Sequence, residues 1–476
     1  MFSIDQALRP LAPLPRLDRN RLLLKGGAII SMDETVGDLE QGDLLVEGGK
    51  IAAIGPSLSS EGAEVIDARD MIITPGFVDC HRHSWEAQLR HLNPNSDNLM
   101  DYCCATHFSF ARHYRPIDIY VGTLLTAIGG IDAGITTFID NAHNSRTDDH
   151  ATAAVEAWLD AGVRAIHAPG PPVTGAWDEE DWPRKRLAGL ADRLSRDASE
   201  LVTLGVMSQF DPDVWAHARD LKIPIITEVG DPAMADIIRQ FDQRGLLGPD
   251  NIFNHVTGLP HEVLVLLRNA GVGVNVCPRS DAQYGIADGG MGAFQAALDA
   301  GLKPALSVDN ETSYSGDMFG EMRTEFFMQR AMTQRDRSAG KQDVPAPLTV
   351  RQMLEAATVS GARCASLHHR TGALTPGREA DLIAFRTNDL NLFPLNNALG
   401  TVVHGADRGN IDTVIIGGRV RKQAGEIVGL HADKLRTMVK ASRDYLLEAH
   451  GYRPDLFCEH HGELAGTTPV ISPYWL

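Results

Sequence analysis

The stretch "MIITPGFVDCHRHS", residues 71–84, decides the reading of the chain. An apolar run ends in two histidines separated by one residue, His81 and His83. Residues i and i+2 of a strand point to the same side, so both imidazoles can aim at one point beyond the strand end. Further along, seven more apolar runs alternate with helical stretches: "ITTFID", "VRAIHA", "VTLGVM", "IPIITE", "NIFNH", "VGVNVC" and "KPALSVD". Eight strand and helix alternations predict an α/β fold of the (β/α)8 TIM-barrel type, with its chemistry at the C-terminal ends of the strands. His81, His83, Asp140, Glu228, His255 and Asp309 all fall at such ends.

Both flanks have another texture. Short β-rich runs such as "LLLKGGAIISM" and "GDLLVEGGKIAAIG" precede the barrel, and "READLIAFR" and "IDTVIIGGRVRKQAGEIVG" follow it. Their spacing predicts a small β-sandwich domain built from both chain ends. The expected organisation is residues 1–75 plus 365–430 for the sandwich, 76–364 for the catalytic barrel, and 431–476 for an amphipathic C-terminal helix and tail.

Composition narrows the function. A chain of 476 residues with 43% hydrophobic content supports a large core, and a net charge of −18 disfavours nucleic acid or an anionic membrane surface as partner. The N-terminus lacks a basic segment followed by an apolar one, and no run approaches the roughly 20 apolar residues of a membrane span. A cytoplasmic protein acting on a small molecule is expected. Six cysteines with no CxxC pair argue against a disulfide framework or a cysteine-built metal site. Any metal must rely on histidine and carboxylate. The "CEHH" of residues 458–461 looks metal-like but lies in the tail, outside the expected barrel.

Alone, HxH is a weak signal. "PALSVDNETS" adds Asp309 after the last strand, where it can ligate the same ion or accept a proton beside it; an isolated strand-end Asp is more often a cap. Other strand-end residues are candidates for substrate contact, each with a plainer alternative. Trp85 and Gln88 follow the HxH, and loop packing would explain them equally well. His143 follows the second strand, where loop histidines are usually solvated. Arg279 and Asp281 follow the seventh, and an ordinary ion pair is the plainer account of them.

The chain resembles the amidohydrolase superfamily, in the branch of cytosine, guanine and S-adenosylhomocysteine deaminases and triazine hydrolases. The resemblance spans nearly the whole chain through "ITPGFVDCHRH", "DAGITTFID", "LSVDNETSYSGDMFGEMR" and "ATVSGARCASLHHRTGALTPGREADLIAFR". It implies one divalent metal, zinc or iron, held by His81, His83, a strand-5 histidine and Asp309. It also implies a homodimer or larger assembly. The family's strand-5 run is PxxxHxxE; here it reads "PIITEVGD", which puts Glu228 in the metal histidine's place and Asp231 in that of the proton-shuttling glutamate. His255 matches the strand-6 histidine that polarises the reacting groups. A second carboxylate brings the ligand set close to neutral, so the ion would acidify water less than a three-histidine site does.

The resemblance therefore implies a hydrolase of a C–N bond in a nitrogen heterocycle, by deamination or amide hydrolysis. Two alternatives stand beside it. One is a metal-free hydrolase or lyase using the same His, Asp and Glu side chains; the other is a binding protein that has kept the scaffold and lost the chemistry.

Overall fold

The computed structural model describes residues 2–12, 21–197, 199–286 and 291–457. "CEHH" and the tail after it lie outside the described residues. Five strands precede the barrel: β1 (Arg21–Ile29), β2 (Leu39–Glu47), β3 (Lys50–Gly55), β4 (Glu64–Asp67) and β5 (Met71–Pro75). The barrel follows as β6 (Phe77–Arg82), β7 (Ile135–Ala142), β8 (Arg164–Pro169), β9 (Val202–Leu204), β10 (Val206–Met207), β11 (Ile225–Val229), β12 (Asn251–His255), β13 (Gly273–Val276) and β14 (Ala305–Leu306). The last four are β15 (Leu382–Arg386), β16 (Ile411–Ile416), β17 (Arg419–Gln423) and β18 (Glu426–Ile427).

Strands β6 to β9 form one parallel sheet and β10 to β14 another. They join into one barrel at two seams. Gly205 separates β9 from β10, which together make the fourth barrel strand, and its N–H donates to the His167 carbonyl at 2.9 Å. At the other seam β14 runs beside β6: Asp309 N–H donates to the His81 carbonyl at 2.8 Å, and His83 N–H to the Asp309 carbonyl at 2.7 Å. The residue between the two histidines fastens this seam. Arg82 is buried and donates to Asp79 at 2.7 Å and to Glu311 at 2.6 Å, while Asp79 also accepts the Val308 N–H at 3.0 Å. The alternation of the strand thus divides its residues between clamping the barrel shut and facing its mouth.

Strands from both chain ends pair into one nine-stranded sheet, with β15 antiparallel to β5 in the middle. Leu24 and Val46 from the first end share a core with Ala384 and Ile415 from the second. Arg164, at the start of β8, crosses to this sheet and grips Asp381 at 2.7 and 3.1 Å and Glu379 at 2.5 Å. Gly76, between β5 and β6, is obligatory, since a Cβ there would lie 2.2 Å from Thr136. The C-terminal helix spans Ala432–His450, as its amphipathic pattern predicts, and among the described residues no helix is long and apolar enough to cross a membrane.

Candidate active site at the barrel mouth

Four strand ends converge on one point. Asp309 Oδ1 lies 3.1 Å from His81 Nε2 and 3.1 Å from His83 Nε2, and Glu228 Oε1 sits 3.6 Å from His81 Nε2. The backbone is bent to achieve this. Asp309 and His255 have φ of 73° and 67°, a left-handed conformation that costs a non-glycine residue free energy and is found where function needs an unusual aim.

Each ligand-capable group is oriented from behind. His83 Nδ1 faces the Asn141 carbonyl at 3.1 Å and so donates, which leaves the Nε2 lone pair directed at Asp309. Two lone pairs 3.1 Å apart repel unless a proton or a metal ion lies between them. His81 Nε2 is buried and makes no hydrogen bond despite its closeness to Asp309. Two imidazole nitrogens and a carboxylate oxygen within 4.8 Å of one another, with a second carboxylate beside them, fit a divalent ion. His81, His83 and Asp309 would hold it, with Glu228 as the added donor.

Behind His81, the Asn141 amide donates to its Nδ1 and to Glu228 Oε1, and Asn254 Nδ2 stands 2.9 Å from the same Nδ1. Asn254 continues into a chain through Asn275 to Ser307. An amide turned by 180° exchanges donor for acceptor, so reversal of this chain lets His81 donate from Nδ1 and present an Nε2 lone pair. The same wiring accommodates either a protonated His81 or a metal-bound one.

The charges are mutually supporting. Burial alone would raise Asp309, but the His81 and His83 imidazoles hold it well below the usual carboxylate range. Glu228 is likewise held down to about 2 by His81 and His255 against its burial. Burial would lower His83, yet Asp309 raises it to about 9. For His255, burial is outweighed by Cys277 and by the Asp281 carboxylate, which accepts from Nδ1 at 2.7 Å and keeps the ring well above its ordinary value. His255 therefore presents a charged N–H toward Glu228 Oε2, 3.3 Å away.

Not every residue singled out from the sequence reaches this cluster. Asp231 is exposed at the end of β11, where it caps the short helix Pro232–Met234 by accepting from the Ala233 N–H at 2.8 Å. Gln88 points the other way, to the Asp118 carbonyl and Ser442. Arg279 is held by Glu321 at 2.6 Å and stacks over Tyr314. Asp281 does reach the site, as the partner of His255. Trp85 and His143 form the wall beside His83, and the His143 and His83 rings are 4.5 Å apart. Asp140 serves the scaffold, accepting from Ser84, Trp158 and His167. Residue-by-residue reading missed Asn141, Asn254 and Ser280, whose hydroxyl donates to Asp309 Oδ2. Asn141, next to Asp140, and Asn254, next to His255, were within reach of a strand-end argument.

Residues 72–421 match the amidohydrolase family. The chain belongs to the amidohydrolase family. Among curated members, a 5-methylthioadenosine/S-adenosylhomocysteine deaminase of Desulforamulus reducens is 27% identical over 424 residues, covering 84% of this chain and 93% of that one. A 5'-deoxyadenosine deaminase of Methanosarcina mazei is 25% identical, covering 87% and 95%. Solved amidohydrolase-like structures share the fold. An adenosine deaminase from Xanthomonas campestris with bound zinc superposes with a TM-score of 0.76 at 22% identity, covering 90% of this chain and 99% of that one. The zinc complex of an atrazine chlorohydrolase from Arthrobacter aurescens gives 0.76 at 20%, covering 89% and 100%. The family is hydrolytic, and zinc is bound in both of these neighbours.

Proposed function

We propose that this amidohydrolase hydrolyses a C–N bond of a small nitrogen heterocycle, releasing ammonia from a ring amine, with one divalent ion at the barrel mouth. The convergence of His81, His83 and Asp309, with Glu228 beside them, carries the reading. An ion held there would supply the positive charge that acidifies the attacking water.

The chain's own residues account for the rest of the reaction. Water adds to the ring carbon, and the amine leaves with the proton that water gives up, so one carboxylate must take a proton and return it. Glu228 suits this task because it stands at the centre of the cluster, with Oε1 3.6 Å from His81 Nε2 and Oε2 3.3 Å from His255 Nε2. His255, kept charged by Asp281, donates a hydrogen bond to negative charge that builds on the reacting oxygen or nitrogen. Asp231 stands too far into solvent for the shuttle. It lines a cavity of about 850 Å³ beside the mouth, together with Trp182, Met207, Gln209, Phe210 and Met234. Aromatic and thioether faces suit a flat ring, and Gln209 Oε1, buried and unpaired, suits an amino edge.

A homo-oligomer belongs to the same proposal. The loop with Leu390, Phe393 and Leu395 exposes apolar surface that a second copy would cover. The test of function is ammonia release by zinc-loaded protein from adenine nucleosides modified at the 5' position and from aminotriazines. Turnover of at least one of these compounds is expected. No turnover of a compound that binds tightly would instead favour a binding protein.

A further inference from the structure

A second group of metal-capable side chains lies behind the wall of the site. Glu86 comes from the short helix Ser84–Leu89 that follows β6, His107 from the segment after the helix Leu99–Ala105, and His143 from the turn after β7. All three are buried, and their ligand-capable atoms lie within 4.8 Å of one another. Tyr102 donates to Glu86 Oε1 at 2.8 Å, while Oε2 is buried with no hydrogen-bond partner. His107 Nε2 is 4.0 Å from Glu86 Oε1. That is too long for a hydrogen bond, and about 0.6 Å beyond the ~3.4 Å that separates two ligand atoms on a tetrahedral zinc with bonds of about 2.0–2.1 Å.

We infer that Glu86, His107 and His143 form a second divalent-cation site, separate from the one at Asp309. The donor set of two imidazoles and one carboxylate suits zinc or a similar borderline ion. Charge supports it. Among the described residues no lysine or arginine pairs with Glu86, and a buried carboxylate without a counter-ion is costly. A bound cation removes that cost. His107 Nδ1 faces His143 Nε2 at 3.2 Å, which leaves His107 Nε2 turned toward Glu86. The three donors come from segments that share no strand or helix, so an ion here pins the segment 84–110 over the barrel mouth. The enclosed position, with His107 and His143 each no more than 5% exposed, suits an ion better than part of a substrate.

The experiment is metal stoichiometry by elemental analysis on chelator-stripped, zinc-reloaded full-length protein. Cobalt(II) absorption serves as a second readout, with folding followed by circular dichroism. The parent is expected to hold two equivalents, and Glu86→Gln, which keeps the shape and the Tyr102 partner, one. His107→Gln gives the same result by a different change. Asp309→Asn retains the equivalent at Glu86. One equivalent in the parent that survives both Glu86→Gln and His107→Gln but is lost in Asp309→Asn overturns the inference. One equivalent lost in Glu86→Gln and kept in Asp309→Asn supports it, and counts instead against a metal at the mouth.

Discussion

Asp309 is the residue on which the site turns: it touches both histidines of the HxH, receives the Ser280 hydroxyl, and holds a left-handed backbone to do so. Asp309→Asn keeps its shape and removes its charge, so kcat should fall roughly 100-fold or more with folding intact. Asp317, eight positions on, is the control. It caps the helix Met318–Ser338 by accepting from the Gly320 N–H at 2.8 Å, so Asp317→Asn should cost up to about 1 kcal/mol in denaturant unfolding and leave kcat nearly unchanged. Glu228→His asks a different question. It exchanges a carboxylate for a neutral donor, and should tighten zinc while lowering kcat, because the proton-carrying carboxylate is lost. Zinc held no more tightly than by the parent would contradict Glu228 as a metal donor. The reach of sequence reading is clearest among these residues. The HxH was legible because strand periodicity aims both rings to one side, whereas Asp309 and His255 were legible as strand-end residues that match the family pattern, and a left-handed backbone turns each toward the cluster. Asp231 was placed by counting along a motif, and counting does not register that the chain turns into a cap at Gly230. Gln88 faces away because the HxH is followed by a short helix, not by more strand.

At the scale of elements, the helix Met318–Ser338 carries two buried acids toward the barrel. Glu321 is paired with Arg279, whereas Glu325 makes no ion pair among the described residues. Burial raises Glu325 to about 8, and Asp281 and Glu321 add to the effect. The folded state therefore holds a proton that the unfolded chain releases near 4.5. The stability this gives is fully present below pH 4.5 and is lost as pH rises through 8. Glu325→Gln has no proton to lose. Between pH 5 and 9 the parent should lose on the order of a few kcal/mol relative to this variant in denaturant unfolding, and parallel curves would show that Glu325 ionises freely. The eight barrel strands could be read from their apolar runs, but the break of the fourth at Gly205 could not. There Cβ-free backbone lets β9 and β10 pair with different neighbours, while a Cβ would press on Ile166 at 2.9 Å. That is a tertiary constraint with no local periodicity.

Across the whole molecule, the two ends of the chain meet in one sheet, and that sheet meets the barrel through Arg164, Asp381 and Glu379. Arg164 and Asp381 are both fully buried, and Asp381 also accepts the Gly417 N–H at 2.6 Å. Asp381→Asn removes one of the two carboxylates that hold the Arg164 guanidinium and should cost about 1.5–3 kcal/mol, read as a lowered denaturant midpoint. The pairing of the ends was legible from their shared β-rich texture, but this bridge was not, because 217 residues separate its partners. Barrel, sheet and seam together place the ligand-capable side chains of β6, β11, β12 and the end of β14 around one point. The direct test is metal content and ammonia release measured on the same sample, stripped by chelation and then reloaded with zinc, against a substrate found in the nucleoside and triazine panel. The stripped chain should be metal-free and inactive, and zinc should restore turnover. A metal-free sample that releases ammonia as fast as the loaded one would contradict the account.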